Sequence, residues 1–344
     1  MKTLVVREDN SLEIREVPIP VINSKQALVK NISCGICNGT DAKLIHGRFK
    51  GFEKEKYPIL LGHEAVGEIV EIGDEVKGYK KGDKVLLPFV GEDLSLYGEL
   101  SSAWGGFSEY GVVDDKLAYP EGEAPECAYA QTIIPAYIDP VDSIMIITLR
   151  EVYSSIKRFG IKAGSSVVIF GCGPVGLTFL KFLKLIGAGP VIAFDIIDEK
   201  IEEAKEKGAE YAFNSNKTDV RTAVRNICPE GVDFVLDAVG ILSIINQAME
   251  LIKDGGKIGC YGISPELKTQ IDWSCAPYNW QLQFQQFPSK IEEGECDEQI
   301  LAWIKEGELC LKDYISDYFY FDNYQNAFEK LEKKEIAKKG IIIF

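Results

Sequence analysis

The pattern of apolar and polar positions changes character near residue 145. Before that point apolar residues come in short, mixed runs. Leu4-Val5-Val6 and Leu12-Glu13-Ile14-Arg15-Glu16-Val17 flank Asp9-Asn10 and predict a hairpin. Residues 27–32 predict a strand that ends at the turn Cys34-Gly35-Ile36-Cys37. Residues 67–72 mix polar and apolar side chains as a half-buried strand does. Gly82-Asp83 turns into a further strand over 84–87, and the stretch 120–140, rich in Pro, Ala and Glu, predicts a loop leading to a domain junction.

Beyond it, wholly apolar strands alternate with segments of helical period. A short helix over 151–159 precedes the strand Val167-Val168-Ile169-Phe170, and helical spacing follows over 177–186. The strand Val191-Ile192-Ala193-Phe194, a helix over 198–207 and strands over 232–237 and 257–262 continue the alternation. This order predicts an α/β fold with a parallel, doubly wound sheet covered on both faces. A helix over 326–334 and a closing strand over 340–344 end the chain; the strand is expected to pair back into one of the domains.

A length of 344 residues makes two domains the default. Lys and Arg number 38 against 53 Asp and Glu, a formal charge of −15, which disfavours nucleic acid and anionic membranes as partners. The apolar run at the start is too short for a secretory signal. The longest apolar stretch, 167–185, is broken by Gly, Pro, Lys181 and Lys184, so no membrane span is expected. Nine scattered cysteines, an odd number, point to a reducing cytoplasm. Cys34 and Cys37 have redox-dithiol spacing, but no second such pair exists and no βαβ pattern surrounds the first.

The chain has two histidines, and one stands in Gly62-His63-Glu64-Ala65-Val66-Gly67. Cys37, His63 and Glu64 are side-chain types that hold a catalytic zinc while leaving a coordination position open. The plainer reading makes His63 a hydrogen-bonded core histidine beside a surface carboxylate. Gly171-Cys172-Gly173-Pro174-Val175-Gly176 follows an apolar strand and opens a helix, the context in which glycines admit a pyrophosphate to a helix N-terminus. Asp195 ends the next strand, placed to accept from the adenosine ribose hydroxyls. Ile196-Ile197-Asp198-Glu199 then offers no basic residue for a 2′-phosphate, which favours NAD over NADP; Lys200 is the nearest. A metal site with a nicotinamide site predicts zinc-assisted hydride transfer.

These motifs resemble those of the zinc-dependent medium-chain dehydrogenase/reductases, the group of alcohol, sorbitol, threonine and glucose dehydrogenases. Gly62-His63-Glu64 with Gly67, Gly73, Val76, Gly82-Asp83 and Val85 is similar to the family's long glycine-spaced signature. Trp104-Gly105-Gly106-Phe107-Ser108-Glu109-Tyr110 is similar to its Gly-Gly-Phe-Ala-Glu-Tyr segment. The resemblance implies a GroES-like catalytic domain over 1–146, an NAD-binding Rossmann domain over 147–285, and a segment, 286–344, returning to the first. It implies Cys37 and His63 as zinc ligands, Glu64 as a ligand or exchangeable near-ligand, and a homodimer or homotetramer. It also implies Thr40 as the hydroxyl that takes the alcohol proton.

Three departures from the family are expected to matter. Cys37-Asn38-Gly39-Thr40-Asp41 is one residue longer than the usual Cys-Gly-Thr-Asp. The relay histidine that often follows the cysteine by five residues is replaced by Ala42, or by Lys43 if the insertion is counted, leaving His46 as either the relay candidate or a surface-loop histidine. Ile147 stands where many members have a further acidic or cysteine ligand, with Glu151 as the alternative ligand or a solvated helix-start glutamate. The lobe that holds a second, structural zinc in many relatives contains no cysteine over 88–106, so one zinc per chain is expected. Residues 91–97 must then be held by packing or by a partner subunit. Residues 272–280, with Trp273, Tyr278 and Trp280, are expected to wall a pocket for a polar secondary alcohol such as a polyol or sugar. Two rivals are a zinc-free NADPH-dependent enone or quinone reductase, against which Cys37, His63 and Asp195 speak, and a non-catalytic nucleotide-binding protein.

Overall fold

The hairpin forms around Asp9-Asn10: β1 (Lys2–Val6) pairs antiparallel with β2 (Leu12–Glu16) in the computed structural model, which describes residues 1–90, 97–264 and 268–344. The long strand β3 (Gln26–Ile36) continues past its expected end, because Ser33, Cys34 and Ile36 are all buried and still paired. A short helix α1 (Asp41–Ile45) follows. Then come β4 (Ile59–Leu60), β5 (Ala65–Ile72), β6 (Lys84–Leu86), β7 (Ser101–Ser102) and β8 (Tyr110–Asp114). β3 lies between β5 and β8, antiparallel to both, while β2-β1-β4-β7 forms a second sheet. Most of the loop expected to need a partner or packing, 91–96, lies outside the described residues; Tyr97 at its end is buried.

The helix expected over 151–159 starts earlier, as α2 (Met145–Phe159). Its first turns, Met145-Ile146-Ile147, are buried without a polar face, so no helical period shows in the sequence. Arg150 on this helix is fully buried. It donates to Asp297 Oδ1 at 2.9 Å and to the Ala130 carbonyl at 2.9 Å, the pairing that a buried guanidinium requires.

The alternating part then builds β9 (Val167–Phe170), α3 (Pro174–Leu185), β10 (Val191–Asp195), α4 (Asp198–Lys207) and β11 (Tyr211–Asn214). It continues through α5 (Val220–Ile227), β12 (Val232–Asp237), α6 (Ser243–Met249), β13 (Ile252–Cys260) and β14 (Trp280–Phe284). The sheet order is β11-β10-β9-β12-β13-β14, parallel throughout. That is the doubly wound, Rossmann-type arrangement.

After β14 come α7 (Lys290–Gly294), α8 (Asp297–Lys305), β15 (Ile315–Tyr320), α9 (Tyr324–Glu332) and β16 (Lys339–Ile343). β16 pairs antiparallel with β3, Gly340 opposite Ile36 and Ile343 opposite Ser33. The chain thus divides into Met1–Arg150 with Ser289–Phe344, a GroES-like unit, and the Rossmann unit Glu151–Pro288. The expected limits, 146/147 and 285/286, fall slightly before these.

Candidate metal and cofactor sites

β3 and β5 bring the first site together. Cys37 follows the end of β3, and His63 and Glu64 precede β5, whose first residue Ala65 pairs with Cys34. Among the described residues, Cys37, His63 and Glu64 form the group of metal-ligating side chains whose donor atoms lie within 4.8 Å of one another. Asp41, at the start of α1, faces the His63 ring, with Oδ1 3.4 Å from Nδ1, an ion-pair distance at which neither atom makes a hydrogen bond. Nε2 is left for a metal. Asp41 also accepts the Cys37 backbone N–H on Oδ2 at 2.8 Å, so one buried carboxylate anchors the backbone at Cys37 and lies against the His63 ring. A carboxylate behind a ligand histidine fixes its tautomer and raises its basicity. Burial pulls the His63 pKa down, but Asp41 and Cys37 outweigh it and hold it well above the ordinary histidine value.

Glu64 is 1% exposed, and both its oxygens accept from Lys339 Nζ, at 2.9 and 2.7 Å. Burial pushes this carboxyl up, yet Lys339 and then His63 bring its pKa below the usual value. Glu64 therefore stands ionised beside the thiol and imidazole, shared between a lysine and any metal. Soft thiolate, imidazole and carboxylate in one half-buried group fit zinc.

Thr40 is the buried N-cap of α1, and Lys43 lies one turn on; three residues apart on a helix is one face. Burial lowers the Lys43 pKa below the ordinary lysine value, partly opposed by the Cys37 thiol. His46 is the C-cap of α1, with Nε2 at 3.3 Å from Glu332 Oε1. Glu151 lies on α2 in the other unit, and its carboxylate is not in the Cys37 group. Cys34, the other half of the dithiol spacing, is fully buried, and burial drives its thiol pKa well above the usual value. Such a thiol makes a poor redox nucleophile.

The second site is the turn between β9 and α3. Gly171 has φ +93°, and a Cβ on Gly176 would sit 1.8 Å from the Gly171 carbonyl oxygen, so only glycine lets the strand enter the helix this closely. Gly173 is the N-cap, and Pro174 and Val175 open the helix. Asp195 accepts the Cys172 N–H at 2.7 Å and the Ile197 N–H at 3.0 Å, which fixes its carboxylate at the mouth of the turn. Lys200 is engaged by Glu203 at 2.6 Å. In the segment expected to wall the substrate pocket, Trp273 is 68% and Tyr278 102% exposed, in the approach to the edge strand β14, while Trp280 is half-buried against the core.

Residues 174–283 match the family model for a zinc-binding dehydrogenase, and residues 23–123 match that for an alcohol dehydrogenase GroES-like domain. The alcohol dehydrogenase of Geobacillus stearothermophilus is 32% identical over 280 residues, 76% of this chain and 77% of that protein. The chain belongs to the zinc-type medium-chain dehydrogenase/reductase family. Sorbitol dehydrogenase of Bacillus subtilis (strain 168) is 28% identical over 272 residues, 76% of this dehydrogenase and 75% of its relative. The solved structure of short chain alcohol dehydrogenase RspB from Escherichia coli CFT073, complexed with NADH, superposes with a TM-score of 0.81 at 24% identity, covering 100% of this chain and 99% of that one. This dehydrogenase is thus a zinc-type oxidoreductase of the alcohol dehydrogenase kind. No helix among its described residues is long and apolar enough to cross a membrane.

Three contributors to the site were not singled out from the sequence: Asp41, Lys339 and Trp104. Asp41 had a signal in its place directly after Thr40 in the cysteine segment. Lys339 had none, since it lies 275 residues from Glu64 along the chain.

Proposed function

We propose that this chain is an NAD-dependent dehydrogenase of secondary alcohols, with the polyols and sugars of the family's sorbitol branch in its range. The observation that carries the reading is the three-donor group Cys37, His63 and Glu64, with Asp41 bonded to the Cys37 backbone and facing the His63 ring. When bound, zinc supplies Lewis acidity to a carbinol oxygen and the nicotinamide accepts hydride. Cys37 and His63 hold the metal, and Glu64 shares its charge between the metal and Lys339. Thr40 takes the alcohol proton at the N-cap of α1. Lys43, one turn along and with a destabilised ammonium, and His46, at the far cap, are the two candidates for the outer end of the relay. Gly171, Gly173, Pro174, Val175 and Gly176 receive the pyrophosphate, and Asp195 receives the ribose. NAD is preferred because Asp195 repels a 2′-phosphate and Lys200 is already engaged by Glu203.

We further place the chain in a reducing cytoplasm, consistent with nine free cysteines. It assembles as a homodimer or homotetramer. Edge strand β14, with Phe284 and Phe287 exposed beside it, supports this, because an uncovered apolar edge is a pairing surface.

Steady-state kinetics of a secondary-alcohol and polyol panel with NAD+ and NADP+ tests the reading. Thr40→Val should depress kcat strongly, and the relay residue is whichever of Lys43→Met and His46→Ala shifts the pH–rate profile. Absence of turnover with every alcohol and both cofactors would remove the proposal.

A further inference from the structure

Beside His63 the GroES-like unit carries an aromatic wall that the metal chemistry does not require. The Trp104 ring stands 5.4 Å from the His63 ring, tilted by 53°, and Phe52 packs against Trp104 at 5.9 Å. Phe49 meets Phe52 edge-on at 5.8 Å, and Lys56 Nζ caps the outer end, 5.2 Å from the Phe52 centroid.

The backbone under this wall is strained. Trp104 has φ +68°, a left-handed conformation that bulky side chains avoid, and Gly105 follows at +67°. Three hydrogen bonds impose it: Ala103 N–H to the Leu60 carbonyl at 2.8 Å, Val90 N–H to the Trp104 carbonyl at 2.9 Å, and Gly106 N–H to the Gly62 carbonyl at 2.7 Å. Glycine or asparagine would occupy this position with less strain. The chain instead holds its largest side chain there, half-buried rather than sealed in the core, against the imidazole of a metal ligand. Strained residues of this kind cluster at ligand clamps.

We infer that Trp104, backed by Phe52, is a specificity-determining residue that packs against an extended C–H face of the substrate beyond the carbinol carbon. The inference rests on the reading of Cys37, His63 and Glu64 as the metal site. A group bound at the open metal position is next-neighbour to the His63 ring, and so within a side chain's reach of the indole. The wall presents ring faces and one indole N–H, so it rewards apolar contact and does little for hydroxyls. Two kinds of secondary alcohol offer such a face: a carbocycle, and a polyol through the C–H edges of its chain.

The test compares kcat/KM with NAD+ for isopropanol, cyclohexanol and sorbitol, in the native protein and in Trp104→Asn and Trp104→Phe, with zinc content and thermal melting measured on each. Trp104→Asn should lower kcat/KM for the larger substrate by about tenfold or more relative to isopropanol. Trp104→Phe should keep most of the preference, and zinc content should not change. Which of cyclohexanol and sorbitol loses more identifies the source of the C–H face. Melting of Trp104→Asn should fall, because relief of the backbone strain offsets only part of the aromatic packing lost against Phe52 and the core. An unchanged substrate ratio in Trp104→Asn, or an equal loss for all three alcohols, would overturn the inference and make Trp104 structural. Should Trp104→Asn not fold, Phe52→Leu carries the same comparison. If the native, zinc-loaded protein turns over none of the alcohols, the secondary-alcohol reading falls, and this inference with it; loss of zinc in the Cys37 or His63 variants tests the metal site apart from it.

Discussion

Lys339→Met removes the partner of a deeply buried charge in the candidate metal site. Glu64 is 1% exposed, the Lys339 side chain is 12% exposed, and two hydrogen bonds of 2.9 and 2.7 Å join them. Removing one member of a buried pair leaves an uncompensated charge and costs about 3–5 kcal/mol. The His63 ring, with Nε2 at 3.9 Å from Glu64 Oε1, offsets part of that and puts the expectation at the lower end, about 3 kcal/mol in chelated protein. The folded pKa of Glu64 is depressed, with Lys339 and His63 overcoming burial. Its pairing therefore stabilises the fold above the usual carboxylate range, and the contribution is lost as pH falls through the depressed value. The deficit of Lys339→Met should accordingly be largest near neutrality and shrink on acidification. Urea unfolding of the chelated protein at several pH values measures it, and adding Glu64→Gln to Lys339→Met should restore most of the loss. A deficit below about 1 kcal/mol at neutral pH, the range of exposed pairs, would refute the reasoning.

Asp195→Gly should erode the preference for NAD over NADP, because it removes an acceptor for the ribose and a charge that repels the 2′-phosphate; the ratio of kcat/KM for the two cofactors checks it. Asp41→Asn should weaken zinc retention by about 10–100-fold without altering the ligand set, since it removes the carboxylate behind His63; competition with a chelator reads this directly. Zinc analysis of native protein should give one metal per chain, as 88–106 holds no cysteine or histidine; a ratio near two, or global unfolding on chelation, would contradict it. Glu151→Gln should leave zinc content unchanged if Glu151 is a surface residue of α2, and a fall would make it a ligand.

The doubly wound half was legible because its elements obey local rules. α4 and β12 fall where the periodicity put them, and the β9–α3 turn is specified by glycines that nothing else can replace. The first residues of α2 were missed because burial on every side erases the polar face by which a helix is recognised. Within that half β11, α5 and α6, and later β14, α7, α8 and β15, were also missed; short elements carry too few periodic positions. In the metal site, Cys37, His63 and Glu64 could be named from residue type and motif. What orients them could not, since Lys339 reaches Glu64 only through the pairing of β16 with β3. Trp104 was legible only as part of a glycine-rich motif. Its left-handed backbone is imposed by Leu60, Val90 and Gly62, distant in sequence, against the preference of its own side chain.

The central claim is that metal held by Cys37, His63 and Glu64 makes this chain an alcohol dehydrogenase. The most direct measurement is the initial rate of NADH formation from NAD+ and a secondary alcohol, taken on native protein, after exhaustive chelation, and after zinc is returned. Turnover should disappear with the metal while the circular dichroism of the fold persists, and return with stoichiometric zinc. Turnover that survives complete removal of metal would contradict it.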